Sequence, residues 1–259
     1  MSNTPQTPEK QADHSIDTAT GQEAPAEISS ARVKKIFTDI AWKYERFNKL
    51  SSFGQYRSWL RTLIDKSPIT SETLMLDIAG GTGDVTFTAC ERKQPEHIIL
   101  SDYTPAMLEV AQSRLDAGEA NGVPVELAVV DGQDIPYEDE SFDIITMSYG
   151  IRNMPERERA LSEMYRVLKP GGALCVLEFS TPPNPLMSLG YNLYLRWGIP
   201  AWGKIVTGDA SGFVYLAKSI KAFPDQKGFT RMLKDAGFSH VEYTNVTFGV
   251  AAVHIAYKE

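Results

Sequence analysis

A glycine-rich loop flanked by acids is the feature of this sequence best suited to chemistry. It reads Asp77-Ile78-Ala79-Gly80-Gly81-Thr82-Gly83-Asp84 and lies between an apolar run and a helical pattern. Glycines there let the backbone turn tightly and approach a ligand, and the free N–H groups at the start of a helix attract an anionic group. The loop therefore predicts a nucleotide-like cofactor, with a plain strand-to-helix turn as the alternative.

The spacing of the loop excludes two common nucleotide-binding motifs. The dinucleotide fingerprint GxGxxG, started at Gly81, has Thr86 where its third glycine should be. No Gly-Lys-Ser/Thr follows, so the loop is not a Walker loop either.

Acidic residues end three successive apolar runs, at Asp77, Asp102 and Asp131. Open α/β sheets bind ligands at the carboxyl ends of their strands, which is where these side chains would meet. Asp102, which follows the glycine loop by one strand, is placed to accept both hydrogen bonds of a ribose diol. These acids strengthen the prediction of a nucleoside site.

Short apolar runs alternate with helical patterns after residue 70, which predicts a parallel sheet with both faces covered. The strands are expected at Leu74–Ile78, His97–Leu100, Val125–Val130, Phe142–Met147 and Ala173–Phe179, and the helices at Val85–Arg92, Pro105–Asp116 and Glu156–Leu168. Residues 182–223 are expected to be irregular. A helix over Gln226–Ala236 then precedes the runs Val241–Val246 and Val250–Ala256, which predict an antiparallel strand pair at the sheet edge.

Composition excludes several classes of protein. The chain has 259 residues, a net charge of −7 and 42% hydrophobic residues, which fits a globular core and argues against a nucleic-acid partner. No run approaches the ~18 apolar residues of a membrane-spanning helix. Cys90 and Cys175 fit small buried residues. No metal site is predicted, because the four histidines lack the spacing of metal ligands; they are His14, His97, His240 and His254.

The first 28 residues differ from the rest of the chain. They carry five acids and one lysine and have no aromatic residue, so residues 1–28 are expected to form a disordered tail of a cytoplasmic protein. Helical spacing from Val33 to Phe47, and again from Tyr56 to Ile64, predicts an N-terminal helical lid over residues 29–66. Residues 29–259 are therefore expected to be one domain.

Several segments resemble the UbiE-type C-methyltransferases of menaquinone and ubiquinone biosynthesis, within the class I S-adenosylmethionine methyltransferases. The resemblance covers residues 29–258 and rests on DIAGGTGD, SDYTPAMLEVAQSRL, VVDGQDIPYEDESFDIITMSYGIRNMPERERALSEMYRVLKPGGALCVLEFS, IFTDIAWKYERFNKL and FPDQKGFTRMLKDAGF. It implies a Rossmann-like fold with a mostly parallel seven-stranded sheet, helices on both faces and the antiparallel pair at the C-terminal edge. Ala79 departs from the glycine of the general loop, and a slightly tighter pocket is expected there.

The resemblance implies S-adenosylmethionine as cofactor and assigns it residues of this chain. It places Thr82 against the methionine part and Asp102 on the ribose hydroxyls. It puts Asp131 and Gly132 beside the adenine, whose amino group can donate to the carboxylate, and Ser148 beneath the methyl donor. A hydroxyl satisfied by the backbone is the alternative for Ser148. The other expected cofactor residues are Asp77, Gly81 and Gly83.

Methylation of a ring carbon requires alignment with the S–CH3 bond and an ionised ring hydroxyl, because a phenol of pKa ~10 is mostly neutral at pH 7. Arg152 is assigned to stabilising that phenolate, since its charge is permanent and it has several donors. Asn153 lies beside it, and Tyr44 on the opening helix is expected to orient the substrate or close the site. The alternatives are a charge at a helix start for Arg152, an N-cap before Pro155 for Asn153, and core packing for Tyr44.

Residues 182–207 contain many aromatic and aliphatic side chains together with Arg196 and Lys204. Such a composition favours a membrane interface. The segment predicts peripheral contact with the inner face of the cytoplasmic membrane, or a helical cap over the substrate cleft within an insertion at residues 182–223. Both interpretations hold if a polyprenyl tail leaves the substrate cleft through the cap.

The expected function is methylation of a polyprenylated quinol ring, with demethylmenaquinol as acceptor. The alternatives are the 2-polyprenyl-6-methoxy-benzoquinol of ubiquinone biosynthesis, a soluble small molecule, or a binding protein with a degenerate pocket. The intact acids Asp102 and Asp131 count against degeneracy. The sequence leaves open the quinone, the ring position, the tail length and the oligomeric state, including a homodimer.

Overall fold

Seven strands form one mixed sheet in the computed structural model, which describes residue 52, residues 54–201 and residues 211–259. They are β1 (Leu74–Asp77), β2 (His97–Asp102), β3 (Val125–Val129), β4 (Phe142–Ser148), β5 (Leu168–Phe179), β6 (His240–Val246) and β7 (Ala251–Tyr257). The strand order is β3-β2-β1-β4-β5-β7-β6, and only β7 runs antiparallel to its neighbours. The predicted fold class and the antiparallel pair are confirmed.

The described helices are α1 (Tyr56–Lys66), α2 (Asp84–Arg92), α3 (Pro105–Asp116), α4 (Arg157–Val167), α5 (Pro185–Leu193), α6 (Ser211–Ala222) and α7 (Gln226–Asp235). Two 3-10 turns, at Ile151–Asn153 and Thr247–Gly249, and a π-helical turn at Tyr194–Gly198 complete them. The predicted tail, the helix over residues 33–47 and Tyr44 lie outside the described residues.

Apolar side chains cover both faces of the sheet, because successive strand residues point to opposite sides. On β1, Met75 packs with α1 and α2, and the next residue, Leu76, packs with α4 and α7 on the other face. Ile144 and Ile145 divide in the same way on β4. Functional side chains are therefore left for the carboxyl ends of the parallel strands.

The expectation that residues 182–223 are irregular is wrong for the described part. The segment forms α5, the π-helical turn and α6, and its apolar residues make a separate small core. Asn184 caps α5 by accepting hydrogen bonds from the backbone N–H groups of Leu186 and Met187, at 3.0 and 3.2 Å, with Pro185 at the first helical position. These Asn and Pro residues resemble turn residues but begin a helix.

Candidate active site

A cavity of about 110 Å³ opens at the carboxyl ends of β1, β2, β3 and β4. Six of the predicted site residues line it, namely Gly81, Asp102, Asp131, Gly132, Ser148 and Asn153. Its wall also contains residues outside the predicted set of site residues, namely Ala79, Tyr103, Thr104, Met107, Val130, Gln133, Tyr149, Gly150, Met154 and Pro155. The ends of these four neighbouring strands thus meet as the topology requires.

The glycine loop owes its shape to left-handed backbone conformations. Gly83 has φ +90°, and a Cβ atom there would lie 2.5 Å from the Phe87 ring. Ala79 also has a positive φ of 53°, which costs a non-glycine residue about 1–2 kcal/mol. This position is where the general loop carries glycine, so the sequence departure falls on a strained residue.

Asp102 holds the loop against the end of β2. Its two carboxylate oxygens accept hydrogen bonds from the Gly81 N–H, at 3.0 Å, and the Thr104 N–H, at 2.7 Å. Burial raises the pKa of this carboxyl, and the two backbone donors oppose that rise. A carboxylate has about four lone-pair positions, so both oxygens keep capacity for a diol in the cavity.

Asp77 does not line the cavity but supports it from below. Its side chain is fully buried and accepts from the hydroxyls of Thr86, at 2.7 Å, and Thr146, at 2.8 Å. These bonds join β1, the first turn of α2 and β4 beneath the glycine loop. The contacts make Asp77 a positioning residue for the loop.

Replacing Asp77 with Asn should change the pH dependence of stability. Burial raises the pKa of the carboxyl to about 7, despite hydrogen bonds from Thr86 and Thr146 that lower it. The unfolded chain releases this proton near pH ~4, whereas the folded protein keeps it until about pH 7, so the free energy of unfolding falls as pH rises through that window. Asn cannot ionise and removes this fall. The free energy of unfolding of the variant should therefore rise by a few kcal/mol relative to that of wild type between pH 4 and pH 8, at about 1.4 kcal/mol per pKa unit.

Urea unfolding at several pH values measures this difference. Asp116→Asn, at the exposed end of α3, is the matched control, and its difference from wild type should stay nearly constant. A constant difference for Asp77→Asn as well would contradict a raised pKa.

Thr82 and Gly83 also lie outside the lining of the cavity. The Thr82 side chain is buried, and its hydroxyl has no hydrogen-bond partner among the described residues. Arg114 of α3 donates to the Thr82 carbonyl, at 3.0 Å, and to the Asp84 carboxylate, at 2.7 Å. Arg114, which was not among the predicted site residues, thus holds the loop from the neighbouring helix.

The segment after β4 is built around the carbonyl of Tyr149. This residue has φ +56°, and its carbonyl accepts hydrogen bonds from Arg152 Nη1 and from Asn153 Nδ2. Asn153 lines the cavity, whereas Arg152 is buried beside it. The N-cap of α4 is Glu156, so the alternative of an N-cap for Asn153 is wrong.

Arg152 forms a buried ion pair that the sequence did not reveal. Its Nη1 lies 2.9 Å from Oε1 of Glu178 near the end of β5, while its Nε has no partner among the described residues. The guanidinium carbon lies 5.3 Å from the centre of the Phe179 ring. Burial raises the pKa of Glu178, and the charge of Arg152 opposes that rise. The only sequence signal for Glu178 is an acid inside the apolar run LCVLEF.

A second cavity, of about 400 Å³, lies under the cap formed by α5, the π-helical turn and α6. Its lining is mostly apolar and includes Trp59, Phe179, Tyr191, Tyr194 and Leu216. Phe179 lines this cavity, and its ring also contacts the Arg152 guanidinium. The Tyr215 hydroxyl of α6 donates to Oδ1 of Asn153, at 2.8 Å, so the cap contacts a residue of the first cavity directly.

The remaining polar candidates are structural. His254 contacts the Gln226 carbonyl, at 3.1 Å, and stacks edge-on against Phe229, and burial lowers its pKa to about 4. Cys90 and Cys175 are buried and free, as expected. Within the described ranges, no cluster of His, Cys, Asp and Glu could hold a metal ion.

A sequence model of the ubiE/COQ5 methyltransferase family matches residues 26–258. The chain belongs to this family. The ubiquinone/menaquinone biosynthesis C-methyltransferase UbiE of Francisella tularensis subsp. novicida is 43% identical over 237 residues, covering 91% of this chain and 94% of the relative.

Solved structures show the same fold at lower identity. An S-adenosylmethionine-dependent methyltransferase of Thermotoga maritima has a TM-score of 0.60 at 22% identity and covers 87% of this chain and 99% of its own. Phosphoethanolamine N-methyltransferase 2 of Haemonchus contortus, in complex with S-adenosyl-L-methionine, has a TM-score of 0.58 at 17% identity. The match covers 79% of this chain and 53% of that protein's chain. Family membership therefore rests on the sequence match, and these structures support the fold.

Proposed function

We propose that this ubiE/COQ5 family member methylates a ring carbon of a polyprenylated naphthoquinol, converting demethylmenaquinol to menaquinol. The protein is an S-adenosylmethionine-dependent C-methyltransferase of quinone biosynthesis. The observation that carries the choice of acceptor class is the pair of adjacent cavities. One holds the acids suited to a nucleoside, and the other is large and apolar.

The first cavity suits the methyl donor. Asp102 keeps lone pairs for the ribose diol, and Asp131 lies on the same wall with Gly132. Gly132 has no side chain, so this wall of the cavity is formed by backbone, and the flexible end of the Met154 side chain lies 2.7 Å from where a Cβ atom would be. Ser148 lies at the end of β4 and lines the same cavity as Asn153. S-adenosylmethionine supplies an electrophilic methyl group, and these residues hold and orient it.

The second cavity suits a hydrophobic acceptor. Its walls are largely aromatic and aliphatic, which favours an apolar ring and prenyl chain over a soluble polar substrate. Asn153 lines the first cavity, and the Arg152 guanidinium carbon lies 5.3 Å from the ring centre of Phe179, which lines the second cavity. We place the acceptor's ring hydroxyl at this pair, facing the donor's methyl group. A positive charge there favours the phenolate that carbon attack requires.

The test compares reduced short-tailed demethylnaphthoquinol and demethylated benzoquinol as acceptors, with S-adenosylmethionine carrying a CD3 group. We expect the purified protein to transfer CD3 to a ring carbon, with the naphthoquinol giving the higher kcat/KM. Mass spectrometry and NMR identify the product and the position. A higher value for the benzoquinol would overturn the choice of acceptor, and no ring-methylated product from either would overturn the quinol proposal.

We also propose that the cap contacts a membrane surface. Leu186, Leu189, Leu193 and Trp197 follow helical spacing along α5 and the π-helical turn, and their exposed fractions lie between 58% and 78%. A lipid-soluble acceptor has to reach the cavity beneath this stripe, which makes a bilayer its natural partner. No described helix is long and apolar enough to cross a membrane.

Replacing Leu189, Leu193 and Trp197 with Ser should lower the affinity for 3:1 phosphatidylcholine–phosphatidylglycerol vesicles at least tenfold, because burial of each side chain contributes about 1.5–3 kcal/mol. Vesicle co-sedimentation measures this, and turnover of a short-tailed acceptor without vesicles should be retained. Val129→Ser is the control, since Val129 is 58% exposed on β3 at the other edge of the sheet. Equal vesicle binding by the triple variant and wild type would contradict membrane contact through the cap.

A further inference from the structure

Two polar atoms near Phe179 are buried without a hydrogen-bond partner among the described residues. They are the hydroxyl oxygen of Tyr191 and Nε of Arg152. Buried tyrosine hydroxyls and guanidinium N–H groups normally find partners, because an unpaired one costs about 1–3 kcal/mol. Two unpaired donors in one region leave two hydrogen bonds for acceptors that a ligand would supply.

Tyr191 lies on α5 and lines the second cavity. Burial raises the pKa of its hydroxyl, and the charges of Arg152 and Glu178 also act on that pKa. The Tyr191 ring forms part of the apolar wall together with Phe179, whose ring contacts the Arg152 guanidinium. The Tyr191 hydroxyl stays a neutral donor at physiological pH.

We propose that Tyr191 is a substrate-positioning residue that donates a hydrogen bond to the acceptor oxygen remote from the methylated carbon. The inference rests on the proposed function, in which the acceptor is an aromatic 1,4-diol. Tyr191 is absent from the lining of the first cavity, whereas Asn153 is part of it. The oxygen next to the reacting carbon therefore lies towards Asn153, and the other oxygen lies under the cap.

This placement has a chemical consequence. In a 1,4-diol, ionisation of the hydroxyl next to the reacting carbon makes that carbon nucleophilic, whereas the hydroxyl across the ring contributes little to attack at that carbon. A hydrogen bond to the remote oxygen therefore orients the ring. An acceptor that lacks this oxygen should still react, but its rate of methylation should not depend on the Tyr191 hydroxyl.

The experiment compares wild type with Tyr191→Phe, and each protein is assayed with two acceptors. Phe keeps the ring and removes only the hydroxyl. With a 1,4-naphthalenediol acceptor, kcat/KM should fall about tenfold, the loss of one net hydrogen bond. With the matching 1-naphthol, which keeps the activating hydroxyl, wild type and variant should be equal within about twofold. Calorimetric affinity for S-adenosylmethionine and the thermal midpoint should not change.

Tyr243→Phe is the matched control because Tyr243 is 39% exposed on β6, and it should behave as wild type with both acceptors. Equal losses with diol and naphthol would assign Tyr191 a structural role, and no loss with either would remove it from the acceptor site. Both results overturn the inference while wild-type turnover keeps the proposed function intact. Absence of turnover in wild type would instead overturn the function.

Discussion

Asp102→Ala should weaken S-adenosylmethionine binding at least about 100-fold in a protein that remains folded. The complex loses the two hydrogen bonds that the carboxylate would accept from the ribose diol, and bonds to charged groups contribute about 1.5–3 kcal/mol each. The substitution also frees the N–H groups of Gly81 and Thr104, which the two oxygens now hold. Both effects act on the glycine loop and point in the same direction.

Calorimetric titration measures the dissociation constant, and circular dichroism verifies the fold. For Asp102→Asn we expect an intermediate loss of affinity, because the amide loses the charge but keeps one acceptor oxygen, enough for one of the two backbone N–H groups. Asp116→Ala, which removes an exposed carboxylate at the end of α3, should bind as wild type does. An unchanged dissociation constant for Asp102→Ala would remove Asp102 from the cofactor site.

The sheet was predictable because its strands carry strong local signals. Alternating apolar runs and helices predict each parallel strand within a few residues, and the acids at Asp102 and Asp131 lie at strand ends where the topology brings them together. Strand β5 was predicted to begin at Ala173 and begins at Leu168. The Pro-Gly-Gly sequence between them resembles a turn, but it forms an irregularity in the pairing of β4 with β5.

Side-chain direction was less predictable than strand position. Asp77 ends β1 as expected, yet it turns inward to Thr86 and Thr146, because strand residues alternate between faces and its neighbours supply hydroxyls. Arg152 lies in the 3-10 turn after β4 and its partner lies on β5, so no local pattern could reveal Glu178. Long-range pairs of this kind depend on the register between β4 and β5 and not on the spacing of residues along the chain.

Arg152→Lys should lower kcat about 10²–10³-fold at neutral pH while leaving the affinity for S-adenosylmethionine nearly unchanged. Loss of an oxyanion donor has this typical magnitude, and lysine keeps the charge but lacks the planar array of donors, including the unpaired Nε. Arg152 does not line the first cavity, which is why cofactor binding should survive. The lysine can also keep a charge opposite Glu178, so the fold should hold.

Arg152→Ala is the contrasting variant, because it leaves Glu178 buried without its cation at a cost of about 3–5 kcal/mol in the free energy of unfolding. Urea unfolding of both variants therefore separates stability from catalysis.

A pH–rate profile with a short-tailed demethylated naphthoquinol decides the role of Arg152. Raising the pH towards the acceptor's pKa of ~10 supplies phenolate from solution, so activity of the lysine variant should recover in part, whereas a merely structural defect would not. A parallel fall of activity and cofactor affinity would identify Arg152 as a structural residue of the pocket. If neither changes, the phenolate is stabilised elsewhere, and Asn153, which lines the first cavity and contacts the cap through Tyr215, is the next residue to replace.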